Sequence, residues 1–294
     1  MTGVHMADQF SDQFRLSITE ALSKQLYAAL SRLEPAPLTR PNLEALAPQA
    51  EKLGLPSMAG VYQLFRQEPG KERQLAYVGK ADEPLPKRLG NHLYKLSGRE
   101  NISIDEMSFK CLFVEEDLSS VSPEKMLIKE HLKNGKVVWN NRGFGNNDTG
   151  RNRDRTKIKN THFDLAFPID LSRKVQGLSP GVQSLHSVLW DIKRGLPFLF
   201  RFKQSAVFKT QMVTVPHADM TADEAFRFIA QHLHGKWQIC GLLGWVIMYD
   251  DSPSPYPSAR RYYRPEGVSD QTPETKKPGK NDMDDEDEGD DSDE

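Results

Sequence analysis

The chain reads as an α+β fold, on three observations. Residues 60–81, GVYQLFRQEPGKERQLAYVGKA, place two short apolar runs around a polar, glycine-bearing turn, the pattern of a β-hairpin. Residues 106–117 put Met107, Phe109, Cys111 and Phe113 at alternate positions, which predicts a third strand. Around these strands the apolar residues recur at helical spacing, as in Ile18, Leu22, Leu26, Leu30 and Leu33.

The elements follow in order. A helix over 14–33 is stopped by Pro35 and Pro37, and a second covers 41–54, broken or ended near Pro48. The hairpin comes next, then a helix over 84–97 with Pro84 and Pro86 near its start. After the third strand, SPEKMLIKEHLK (122–133) predicts a helix with Ser122 as N-cap, Pro123 at its first position and Glu124 in its first turn. Residues 140–160, NNRGFGNNDTGRNRDRTKIKN, carry the asparagine, glycine and aspartate of a loop, and the loop is basic. Beyond it FDLAFPID and AVFKTQMVTV read as strands, and 181–194 and 221–234 as helices. WQICGLLGWVIMYD (237–250) reads as a buried strand kinked at Gly244. The expected divisions are a helical segment at 1–57, a core with its basic loop at 58–160, an α+β region at 161–265, and a disordered acidic tail at 266–294.

Composition excludes some classes. No run of eighteen apolar residues predicts a membrane span, and the first residues lack the apolar stretch of a secretory leader. Cys111 and Cys240 form no disulfide or metal framework, and two reduced thiols suit a cytoplasmic protein. The net charge of −2 hides an asymmetry. Residues 281–294 hold ten acids and no base, so residues 1–280 carry 39 basic against 31 acidic residues, or +8. A basic body suits a polyanionic partner. The acidic tail reads either as a solvating segment or as a competitor with DNA for the basic surface.

Chemistry gathers around the hairpin. Its strands carry one phenol each, Tyr62 and Tyr77, beside Gly60 and Gly79, and glycine there allows backbone or substrate to approach closely. Arg88 and His92 lie four apart on one helix face. Glu124 opens another helix, and Asn140 follows the extended KVVW. Two phenols, a guanidinium, an imidazole, a carboxylate and an amide suit one phosphate. Phosphodiester hydrolysis needs a cation to polarise the phosphate, a base for water, and donors for the developing charge.

Gly60-Val61-Tyr62, Tyr77-Val78-Gly79, the Arg88/His92 pair, EKMLIKEHLK, VVWN and GFGNNDTG together resemble the GIY-YIG nuclease superfamily, and within it the type II restriction endonuclease branch. The resemblance covers about residues 58–155. It implies a small three-stranded antiparallel sheet flanked by helices; the N-terminal helical segment and the C-terminal α+β region read from the residues lie outside it. It implies a Mg²⁺ (or Mn²⁺) dependent DNA endonuclease acting on double-stranded DNA, and two chains to cut both strands of a palindrome. It assigns Tyr62 to orienting or deprotonating water, Tyr77 to binding nearby, Arg88 to the transition-state charge, and Glu124 to the metal. His92 contacts the phosphate or relays a proton, Asn140 buttresses the site, and Lys80 adds a phosphate contact. Val61 stands for the usual isoleucine, and the NGKVV link leaves Asn140 and Asn141 both open for the asparagine's role. Arg142, Asn146, Asn147, Arg151, Arg153 and Arg155 in the basic loop are expected to contact DNA, arginine reading guanine and asparagine adenine.

Two other readings remain: a repair or phage-defence nuclease for branched, damaged or modified DNA, and a DNA-binding protein with a silent core. His232 and His234 lack companion ligands for zinc, and Trp190, Trp237 and Trp245 read as core. SARRYYRP (258–265) reads either as a nucleic-acid contact or as a cover for the second region.

Overall fold

The computed structural model describes residues 18–114, 128, 138–140, 142–145 and 154–277. It is an α+β fold. Helix α1 (Ile18–Ser31) leads into a two-residue strand β1 (Ala36–Pro37) and helices α2 (Arg40–Glu44) and α3 (Leu46–Leu53). The break between the last two falls at Ala45 rather than at Pro48. Pro48 lies in the first turn of α3, where its missing N–H leaves no helical bond unmade.

Strands β2 (Gly60–Arg66), β3 (Gln74–Ala81) and β4 (Met107–Phe113) form the expected antiparallel sheet, with helix α4 (Leu85–Ser97) between the last two. The sheet gains a fourth strand, because β1 pairs with β4 and gives the order β1-β4-β2-β3. Alternation sends Val61 and Val78 against Leu30 of α1 on one face. Tyr62, Leu64 and Tyr77 meet Leu85, Leu89 and Leu96 of α4 on the other. Leu85, Leu89, His92 and Leu96 are the buried residues of α4, at the spacing of one helix face. His92 is therefore drawn into the core by the stripe it belongs to.

The remainder has its own core, built on a five-stranded sheet in the order Gly267–Asp270, Ala259–Arg264, Gln238–Leu242, Val246–Tyr249, Phe200–Phe202. Neighbours are antiparallel except the last pair. Helices Leu185–Gly195 and Ala222–Gln231 pack on this sheet. Their starts are set by local chemistry: the Ser184 hydroxyl accepts from Ser187 N at 3.2 Å, and Thr221 and Glu224 form a reciprocal capping box.

Several sequence expectations change here. FDLAFPID is not a strand: Phe163–Ala166 is a short helix whose first turn is capped by His162. AVFKTQMVTV divides into a helical turn, Val207–Thr210, and a strand, Met212–Val215. Residues 181–184 form a strand before the expected helix. The kink at Gly244 is a hairpin turn between Gln238–Leu242 and Val246–Tyr249. SARRYYRP supplies an internal strand of the sheet with Tyr263 in the core, and the sheet continues past residue 265. Thr275–Lys276 pairs in parallel with Ile158–Lys159. The expected helix at 122–133, apart from helical Ile128, and the acidic run at 281–294 lie outside the described residues. No helix among the described residues is long and apolar enough to cross a membrane.

Two buried polar nodes tie the halves together. Arg99, just past α4, donates to Asp164 Oδ1 at 2.8 Å, to Phe167 O at 3.1 Å, and more weakly to Leu243 O and Gly244 O. Fully buried Asp154 accepts from Arg201 at 2.6 and 2.7 Å, from Trp245 Nε1 at 2.8 Å and from the Tyr249 hydroxyl at 3.1 Å. A buried carboxylate persists when donors surround it in this way. This one fixes the end of the basic loop to the C-terminal sheet.

Candidate active site

The hairpin register explains why the phenols converge. Tyr62 faces Gly79 and Leu64 faces Tyr77, so the two tyrosines are diagonal neighbours on one sheet face, with ring centroids 6.0 Å apart. Gly79 is needed for the phenols themselves. A Cβ there would stand 2.4 Å from Cζ and Oη of Tyr62 and 2.7 Å from Cε1 of Tyr77.

Helix α4 brings two groups to the Tyr62 hydroxyl. His92 Nε2 lies 2.6 Å from it, and Arg88 Nε donates to it at 3.3 Å. Burial, then the charges of Arg88 and Lys95, hold His92 well below its ordinary value of 6.5, so the ring is neutral at neutral pH. With its proton on Nδ1, Nε2 accepts from the phenol while the phenol oxygen accepts from Arg88. Burial alone would lower the Arg88 pKa, but Tyr62, Tyr77 and Glu83 outweigh it and raise it. The guanidinium is a fixed charge beside a phenol.

Asn140 uses both ends of its amide on one strand residue. Its Oδ1 accepts from Val78 N at 2.9 Å and its Nδ2 donates to Val78 O at 2.8 Å. Strand β3 is the sheet edge, and the amide satisfies backbone groups that an edge leaves open. The side chain thus buttresses the strand that carries Tyr77.

The segment after Asn140 is a wall of the cluster, which the sequence marked only as part of a loop. Phe144 stacks on His92, with centroids 4.9 Å apart and planes 14° apart, and meets the Tyr77 ring edge-on at 5.0 Å. Lys95 donates to Phe144 O at 2.5 Å, and Arg88 Nη2 donates to Gly145 O at 3.4 Å. A Cβ on Gly145 would stand 2.3 Å from the Tyr77 hydroxyl. The signal was the GFG triplet, a ring between two glycines, but a ring's partner cannot be read from spacing.

Tyr62, Tyr77, Arg88, His92 and Asn140 are thus brought together, while Glu124 lies outside the described residues. The sequence expected both phenols to face a phosphate. Instead Tyr62 is fully buried and Tyr77 nearly so, because Phe144 and α4 close over them, while Arg88 and Asn140 are half-buried. Lys80 is paired with Asp82 at 2.8 Å. Arg155 pairs with Asp251 of the C-terminal region at 3.5 Å, and Arg142 is exposed on the far side of Trp139. Asn146, Asn147, Arg151 and Arg153 lie outside the described residues, as does Asn141. Among the described residues no three His, Cys, Asp or Glu side chains gather as a metal site. Neither a family model nor a curated protein matches the chain.

The neutral state of His92 has a measurable consequence. Below about pH 6.5 the unfolded chain takes up a proton on this ring that the folded chain refuses. Stability should therefore fall with acid by up to about 1.4 kcal/mol per pH unit until the folded ring protonates. Urea melts from pH 7.5 to 5 check this against His92→Gln, whose slope should be shallower over the same window. Parallel slopes would show that His92 does not resist protonation.

Proposed function

We propose that the protein is a Mg²⁺-dependent DNA endonuclease of the GIY-YIG type, sequence-specific in the manner of type II restriction enzymes. The observation that carries this is the Tyr62 hydroxyl held between neutral His92 and charged Arg88. Arg88 places a fixed positive charge beside the phenol oxygen, while His92, held neutral, orients the hydroxyl and is too weak a base to take its proton outright. In the proposed mechanism the phenol oxygen activates water, with Arg88 meeting the charge that develops on it. Arg88 then serves twice, stabilising the phenolate and the charge on the phosphate. Its 3.4 Å bond to Gly145 O is long enough for a phosphate oxygen to replace. Tyr77 lies beside both rings and packs against Tyr62 and His92. Asn140 keeps its strand in place.

The cation is assigned to Glu124 by the sequence alone. Mg²⁺ is commonly held by one or two carboxylates with phosphate oxygens and water, so a single glutamate is sufficient. When bound, it supplies Lewis-acid polarisation of the phosphate. Two copies of the chain would serve the two strands of a palindrome.

Full burial of Tyr62 favours a second reading, a DNA-binding protein whose core does not cut. Cleavage of mixed plasmid and phage DNAs with Mg²⁺ or EDTA, by wild type and Glu124→Ala, decides between them. Discrete fragments that need both Mg²⁺ and Glu124 support a sequence-specific nuclease. A smear with the same dependence keeps the nuclease and points to repair or defence. DNA binding without cleavage favours the silent core.

A further inference from the structure

One face of α4 holds the segment that closes over the phenols. Arg88, His92 and Lys95 stand four and three residues apart, the spacing of neighbours on a helix surface. Each meets residues 144–145. Arg88 Nη2 donates to Gly145 O at 3.4 Å, His92 stacks on the Phe144 ring, and Lys95 Nζ donates to Phe144 O at 2.5 Å. The Lys95 ammonium also lies 5.1 Å from the centre of the Phe144 ring and 5.6 Å from that of Phe163, and these two rings meet edge-on at 4.7 Å. A cation over a ring face is attracted to it, and here one half-buried cation holds both the ring and the carbonyl of Phe144. Phe144 stands between Gly143, at φ 77°, and Gly145, which bring no side chains of their own to anchor it.

From this we infer that Lys95 is a positioning residue for the proposed nuclease: it holds Phe144 on the His92 ring, and so keeps that ring dry and aligned with the Tyr62 hydroxyl. Lys95 acts at one remove from the phenol. The contacts run from Lys95 to Phe144, from Phe144 to His92 with planes 14° apart, and from His92 Nε2 to the Tyr62 hydroxyl at 2.6 Å. A stacked neighbour limits rotation of the imidazole, and the imidazole sets the direction of the hydroxyl. With Phe144 loosened, water would reach His92, and the burial that keeps it neutral would weaken. The charge of Lys95 acts in the same direction, after burial and Arg88. Among the described residues, the groups facing the His92 ring are Tyr62 from β2, Tyr77 from β3, Arg88 and Lys95 from α4 itself, and Phe144. A protonated imidazole has no lone pair for the phenol, so the hydroxyl would lose the acceptor that orients it. The role rests on the nuclease reading above, but the contacts behind it are measurable without cleavage.

The first test is a proton NMR titration of the histidines in the full chain, with the His92 signal identified by its absence in His92→Gln. Lys95→Met removes the charge and the bond but keeps a long, helix-forming side chain. Phe144→Leu removes the stacked ring but keeps Lys95. In both variants His92 should take up its proton at a higher pH than in the wild type. Lys95→Arg keeps a cation and a donor, and its His92 should titrate with the wild type. A His92 titration unmoved in both Lys95→Met and Phe144→Leu overturns the inference. The second test is kinetic, on plasmid DNA that the wild type cuts with Mg²⁺. Lys95→Met should lower kcat by about 10- to 100-fold, the scale of a small misplacement at a reacting group, with KM within about twofold of wild type. Lys95→Arg should recover most of the rate. An unchanged kcat would make Lys95 a packing residue, and a loss confined to KM would make it a phosphate contact; either overturns the inference. No cleavage by the wild type, with the titration as expected, would instead defeat the nuclease reading and with it the role, though not the contacts.

Discussion

Replacing Arg99 with alanine is expected to cost about 3–5 kcal/mol of stability, the usual price of stranding one member of a buried ion pair. Arg99 and Asp164 are 4% and 6% exposed, so water cannot replace the lost partner. The change removes more than the 2.8 Å charge pair. It also frees the carbonyls of Phe167, Leu243 and Gly244, which come from two separate segments of the C-terminal half. Those contacts anchor the end of α4, the helix that carries Arg88 and His92. Replacing both members, as Arg99→Met with Asp164→Leu, should recover a substantial part of the loss, because no charge is then left buried and unpaired. The measurement is the urea midpoint of the three variants at one pH. A loss below about 1 kcal/mol for Arg99→Ala would place the pair with surface ion pairs and show that it does not join the two halves.

How much of this was legible in the sequence depended on how local the signal was. The hairpin, α4 and β4 follow from alternation, helical spacing and prolines, all of which act within a few residues. The helix expected from residue 181 begins only after Ser184, because residues 181–184 pair as a strand with Met212–Val215, a partner about thirty residues away. FDLAFPID misled because its apolar run suits a strand, while the deciding contact is the bond from Asp164 N to His162 Nδ1. In GLLGW a turn and a kink both place glycine at the bend, so spacing alone does not separate them. The site residues were legible as a set of types in order. Their burial was not, since it arises from Phe144, whose position against His92 is a tertiary fact. Asp154 was equally hidden: in the sequence it is one acid in a basic loop, and only Arg201, Trp245 and Tyr249 reveal why it is there.

On the proposed reading, Tyr62→Phe should lower the cleavage rate by about 10²–10⁴-fold, the range of a lost acid–base group. The ring remains, so packing against Gly79 and Tyr77 is retained. Stability should fall by only about 1–3 kcal/mol, for the unmet polar groups left on His92 and Arg88. DNA affinity should hardly change, since a fully buried hydroxyl makes no ground-state contact with the duplex. A rate within tenfold of wild type would make Tyr62 a packing residue and remove the observation on which the nuclease mechanism rests. Arg88→Gln gives the complementary measurement. If Arg88 acts by stabilising the Tyr62 phenolate, the double variant should be no slower than the worse single variant, because groups that act as a unit are not additive. Multiplicative losses would instead assign Arg88 a separate task, such as holding the phosphate where it now meets Gly145 O.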